Sequence, residues 1–149
     1  MQMKITLTRF TQAFPIPETP TRAHALFGKS ADFPAIHDMA HAAGIKAGQD
    51  ALPDTMVVKE ADLSGNPIGK TWYVSEGACG FAWVRFKGNT AWGKWAKAQG
   101  IATPAYPKGL QIWVSEFNQS VTRKEAYANA YAKVLCGAGI EAYADSRLD

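Results

Sequence analysis

The chain has 149 residues, 47% hydrophobic and 19% charged, a balance that excludes disorder and fits one domain with its own core. No apolar run approaches the roughly 20 residues of a membrane span. Met1–Thr6 also lack the apolar stretch of a secretory signal, so a soluble protein of a cell interior, with no membrane partner, is expected. The net charge of +3 is uneven: residues 70–108 hold Lys70, Arg85, Lys87, Lys94, Lys97 and Lys108 against Glu76 alone. The tryptophans, Trp72, Trp83, Trp92, Trp95 and Trp113, all fall in or just beyond that stretch. Interleaved cations and aromatics suit an anionic, stackable partner; the plain alternative is tryptophans in the core and lysines in water.

Lys4–Phe10 alternate and read as a first strand. Pro15, Pro17 and Pro20 then fix φ and remove donors, making an arm or loop. Asp32 caps a helix with Pro34 in its first turn, running to about Gln49 or Ala51, with Ile36, Ala40, Ala43 and Ala47 as its apolar stripe. Thr55–Lys59 and Lys70–Ser75 read as strands around a turn at Ser64–Pro67. Residues 80–87 are apolar on both faces up to Arg85, as in a central strand covered on both sides. Asn89 or Thr90 opens a helix that Gly100 stops, with Trp92, Trp95 and Ala96 on one face and Lys94 and Lys97 on another. A Pro-containing loop leads to a strand over Leu110–Phe117. Thr122–Glu125 form a capping box for the last helix, which Gly137 or Gly139 ends, with Tyr127, Ala130, Tyr131 and Val134 as its stripe. Ile140–Ala144 make a final strand, and residues 145–149 a polar tail. The pattern predicts a single α+β domain over residues 1–149, with residues 1–31 as strand and Pro-rich arm. Its sheet, mixed or antiparallel, has about five strands and two or three helices mainly on one face. Ala82, Val84, Phe86, Ile112, Val114, Tyr127 and Val134 are the expected core.

Cys79 and Cys136 are far apart, giving neither a disulfide framework nor a zinc pattern, and read as small buried hydrophobes. His37-Asp-Met-Ala-His41 puts two imidazoles at i and i+4, as in a zincin, but with a shorter Asp38 in place of glutamate. His24 is the only other histidine, and no third ligand stands at a family's spacing. No metal or cofactor is expected, His37 and His41 being the weak candidates. Cys79 opens a strand without the electropositive setting that makes a thiolate. With no phosphate loop or dinucleotide fingerprint, the chain reads as non-catalytic; a small hydrolase on His37, His41 or Cys79 is the enzymatic alternative. Asn118-Gln119-Ser120 followed by Arg123 and Lys124 offers either a phosphate site at a helix N-terminus or a helix capped by Ser120 or Thr122 with solvated cations.

Residues 79–86, CGFAWVRF, resemble the octamer of the RNA-recognition motif, K/R-G-F/Y-G/A-F-V-x-F/Y, with Cys79 where the cation belongs. On that likeness Cys79, Phe81 and Trp83 face nucleic acid while Ala82, Val84 and Phe86 face the core. Gln111, Trp113, Ser115 and Phe117 share one face of the neighbouring strand. Phe81, Trp83 and Trp113 then form a platform edged by Arg85, with Lys87, Lys94 and Lys97 nearby. The likeness stops there: Lys4–Phe10 lack the motif's second aromatic run, and a helix and a strand follow where it should end.

A second resemblance covers residues 72–149. The blocks Cys79–Val84, Gly109–Val114, Asn118–Tyr127 and Gly139–Asp149 are similar to a group of small uncharacterised phage and prophage proteins. It implies a phage product in the host bacterial cytoplasm: a non-catalytic, inhibitor-like protein engaging a host protein or protein–nucleic-acid complex. The next reading is a single-stranded nucleic-acid module over residues 70–117.

Overall fold

The computed structural model describes residues 32–149. The strand expected over Lys4–Phe10, the Pro-rich arm and His24 lie outside the described residues.

Helix α1 (Phe33–Asp50) opens as the sequence requires: the Asp32 carboxylate accepts from Ala35 N, and Pro34 stands in the first turn where its missing donor costs nothing. Its buried line is Ile36, Ala40, Gly44 and Gly48, turned from the expected alanine stripe. A Cβ on Gly44 would come within 2.7–2.9 Å of the Tyr127 ring, so the glycine lets a second helix approach closely.

That helix is α3 (Val121–Gly137). Its N-cap is Ser120, two residues before the expected Thr122 box. The Ser120 hydroxyl accepts from Arg123 N and donates to Glu76 O at 2.8 Å, while Glu125 accepts from the Ser146 hydroxyl at 2.6 Å. Tyr127 and Tyr131 are buried as expected; Ala128 and Leu135 complete the stripe in place of Ala130 and the half-buried Val134. Helix α2 (Ala91–Ala98) is capped by Thr90 and buries Trp92 and Ala96.

Among the described residues the strands form two antiparallel sheets. β1 (Met56–Ala61) and β2 (Pro67–Val74) make an isolated hairpin; β3 (Gly80–Phe86), β4 (Thr103–Pro104), β5 (Leu110–Trp113) and β6 (Ala142–Leu148) form a sheet in the order β4-β5-β3-β6. The fold is a single α+β domain, as the element pattern indicates, with its strands divided four and two. β3 lies between β5 and β6, as its apolar character predicts. β6 runs on through Asp145–Leu148, so the expected polar tail is a sheet edge. β5 stops at Trp113: after Val114 the chain leaves the sheet, and Phe117 takes a left-handed φ of 65° and packs on Tyr127. Phe117 thus does not continue the Gln111 and Trp113 face.

The core lies on one side of the larger sheet. Ala82, Val84, Phe86, Leu110 and Ile112 join Ile36, Ala40, Trp92, Ala96, Tyr127, Tyr131 and Leu135 from the three helices in one buried cluster. Side chains alternate across a strand, so the intervening residues occupy the other face.

Candidate nucleic-acid interface

Cross-strand pairing lays out this second face in rows. Phe81 is opposite Arg147; Trp83 is opposite both Trp113 and Asp145; Arg85 is opposite both Gln111 and Tyr143. None belongs to the core cluster; α3 reaches this face through Lys124, which lies over Phe81. Every residue of β3 is buried or half-buried, as expected of a central strand; among the described residues the helices supply that cover on one side and same-face neighbours on the other. Trp83 is only 8% exposed because the Trp113 ring stacks on it at 5.2 Å and 11°, with the Arg85 guanidinium 5.7 Å from its centroid. Trp113 itself is 43% exposed, and Phe81 leans on it at 5.4 Å.

Cations flank the rings. Lys124 Nζ and the Arg147 guanidinium lie 5.5 and 5.4 Å from the Phe81 centroid, within cation–π range. Lys124 is buried, which corrects the expectation of a solvated side chain there. Arg85 donates from Nη1 to Tyr106 O, and its Nε stands 3.3 Å from Asp145 Oδ2 without hydrogen-bond alignment. The Trp83 indole N–H is buried with no acceptor among the described residues.

Beyond Arg85 the face opens into a cleft of about 810 Å³ lined by Lys87, Lys97, Lys108, Glu141 and Tyr143. Lys87 pairs with Glu141 at 2.8 Å. Among the described residues Lys97, Lys108, Lys124 and Arg147 enter no ion pair. Lys94 is exposed on α2 and does not line the cleft.

Arg123 is elsewhere and fully engaged. Its Nη1 donates to the carbonyls of Gly48, Gln49 and Ala51 at the end of α1, and its Nε to Glu76 at 2.6 Å. The hydrogen bond from Arg123 holds the Glu76 carboxyl below its ordinary range. A guanidinium so committed has no donor fork left for phosphate, which corrects the anion-site expectation. The adjacent cleft of about 520 Å³ carries Glu76 on its wall. Cys79, on that same wall, and Cys136 are exposed rather than buried, and Cys136 donates to Ala142 O.

His37 and His41 face α3. Each Nδ1 stands 2.6 Å from a tyrosine hydroxyl, His37 to Tyr131 and His41 to Tyr127, so two i,i+4 pairs form a ladder between the helices. Burial lowers the His37 pKa below its ordinary value, with Asp38 opposing and His41 adding to the shift. Burial raises both tyrosine hydroxyls. No group of three or more His, Cys, Asp or Glu side chains suited to a metal occurs among the described residues.

Sequence reasoning missed Arg147 and Tyr143, although the signal was present: Tyr143, Asp145 and Arg147 alternate with Ala142, Ala144 and Ser146. Fold and site together define a single-domain α+β protein whose larger sheet has an aromatic and basic face that no helix roofs among the described residues. Comparison with protein-family models, curated proteins and solved structures gives no match. No described helix is long and apolar enough to cross a membrane.

Proposed function

We propose that the protein is a non-catalytic binding protein that takes single-stranded nucleic acid on the open face of its larger sheet. The observation that carries this reading is the stacked Trp83–Trp113 pair, with Trp113 half exposed and Phe81 beside it, bordered by cations that enter no ion pair among the described residues. Bases present π-faces without regard to sequence, and a flat aromatic surface with adjacent cations meets both ring and phosphate. Strand-facing aromatics support the octamer likeness in this local respect only; the helices and β6 follow a different order from the motif. In the phage setting implied by the second resemblance, the host partner is a protein–nucleic-acid complex engaged through its nucleic acid.

The test is anisotropy of labelled single-stranded RNA and DNA oligonucleotides titrated with the full chain. Micromolar binding is expected, and Trp113→Ala should weaken it by about 1–3 kcal/mol, the worth of one stacked base, with the circular dichroism unchanged. Absence of binding, or equal binding by Trp113→Ala, refutes the assignment. Capture of a host protein that survives nuclease treatment would favour direct protein recognition instead.

A further inference from the structure

Where β3 ends and β5 and β6 begin, the larger sheet runs into the cleft of about 810 Å³, a size that suits a small ligand. Phe86 and Leu110, paired across the two strands and each 5% exposed, give it an apolar base. The rest of the lining is charged: four cations, Arg85, Lys87, Lys97 and Lys108, against one acid, Glu141. Lys87 is paired with Glu141, and Arg85 stands 3.3 Å from Asp145. Lys97, from α2, and Lys108, ahead of β5, enter no ion pair among the described residues. Two uncompensated ammonium groups on one cleft call for an anion of charge two. A phosphate inside a strand carries one negative charge, whereas a terminal phosphomonoester carries about −1.5 to −2 at pH 7, with three acceptor oxygens.

We infer that the cleft seats the terminal phosphate of the bound strand, a phosphomonoester held between Lys97 and Lys108; this rests on the nucleic-acid reading of the open face. The position of the cleft agrees with its charge. From Trp83, a strand stacked on Trp113 advances only about 7 Å along β3 to the row of Arg85 and Tyr143, both on the cleft wall. Beyond that row the backbone leaves the sheet through Gly88 and Asn89, which also line the cleft, and enters α2. The cleft therefore stands at the end of the stacking track and not along it, where the strand's own end would lie.

Anisotropy of one internally labelled single-stranded DNA, prepared with a 5′-phosphate, a 3′-phosphate or hydroxyls at both ends and titrated with the full chain, tests this. The hydroxyl-ended strand leaves the two lysines to diester phosphates. One phosphorylated form should bind about tenfold more tightly than it, the worth of one charge-assisted hydrogen bond, and which form does so tells which end the cleft takes. Lys97→Gln together with Lys108→Gln, both exposed side chains, should level the three forms with the circular dichroism unchanged. Arg147→Gln should weaken all three alike and keep the preference. Equal binding of the three forms overturns the inference and leaves the open face standing. A preference that survives the double lysine variant, or one lost in Arg147→Gln, overturns it too. A phosphate preference that persists while Trp113→Ala binds as the wild type does would instead refute the stacking surface and keep the cleft.

Discussion

Val84→Ala probes whether the core lies where the alternation of β3 puts it. Val84 is fully buried at the centre of the sheet, paired with Ile112 on one side and Ala144 on the other. The change deletes two carbons, at about 0.8 kcal/mol each in lost transfer free energy. Strands hydrogen-bonded on both sides cannot close over the vacancy, so a cavity cost adds to this and the expected loss is about 2–3 kcal/mol. Urea unfolding followed by far-ultraviolet circular dichroism should show the midpoint falling with the slope unchanged. Val58→Ala, in the exposed hairpin, is the control and should stay within about 0.5 kcal/mol. A Val84→Ala change as small as that control would refute the division of β3 into a covered and an open face.

Gly44→Ala should destabilise the chain although alanine favours a helix by about 1 kcal/mol. The new Cβ would stand 2.7 Å from the buried Tyr127 ring, and overpacking of that kind costs about 1–3 kcal/mol; a raised melting temperature would contradict the close helix contact. For His37, burial holds the folded-state pKa below the ordinary value of 6.5. Its neutral form is favoured in the fold, so its contribution is present above the unfolded pKa and lost as pH falls through and below 6.5. The urea midpoint should decline on that side, and His37→Gln should flatten the decline; identical profiles for the two proteins would reject the assignment.

Much of the fold was legible from local chemistry. Asp32 and Pro34 announce α1, Thr90 caps α2, and the apolar run of residues 80–86 is central. What escaped depends on tertiary contact. Gly44 and Gly48 read as weak helix positions until Tyr127 and Phe117 are seen against them. Between Ser120 and Thr122, both capable caps, the choice falls on Ser120, whose hydroxyl also reaches Glu76 O across a long sequence separation. Arg123 carried the wrong role for the same reason: three carbonyls at the end of α1 claim its guanidinium. Of the site, Phe81, Trp83, Arg85 and Trp113 were visible through strand alternation. Arg147 was hidden because polar residues 145–149 read as a tail.

The central claim is that the open sheet face meets a phosphate backbone, and the salt dependence of oligonucleotide affinity tests it most directly. If Lys97, Lys108 and Arg147 each neutralise one phosphate, log K should fall against log salt with a slope of about −2.1, from roughly 0.7 counterions released per contact on a single strand. Arg147→Gln should reduce that slope by about 0.7. A slope near zero, or one unchanged in Arg147→Gln, would contradict the account.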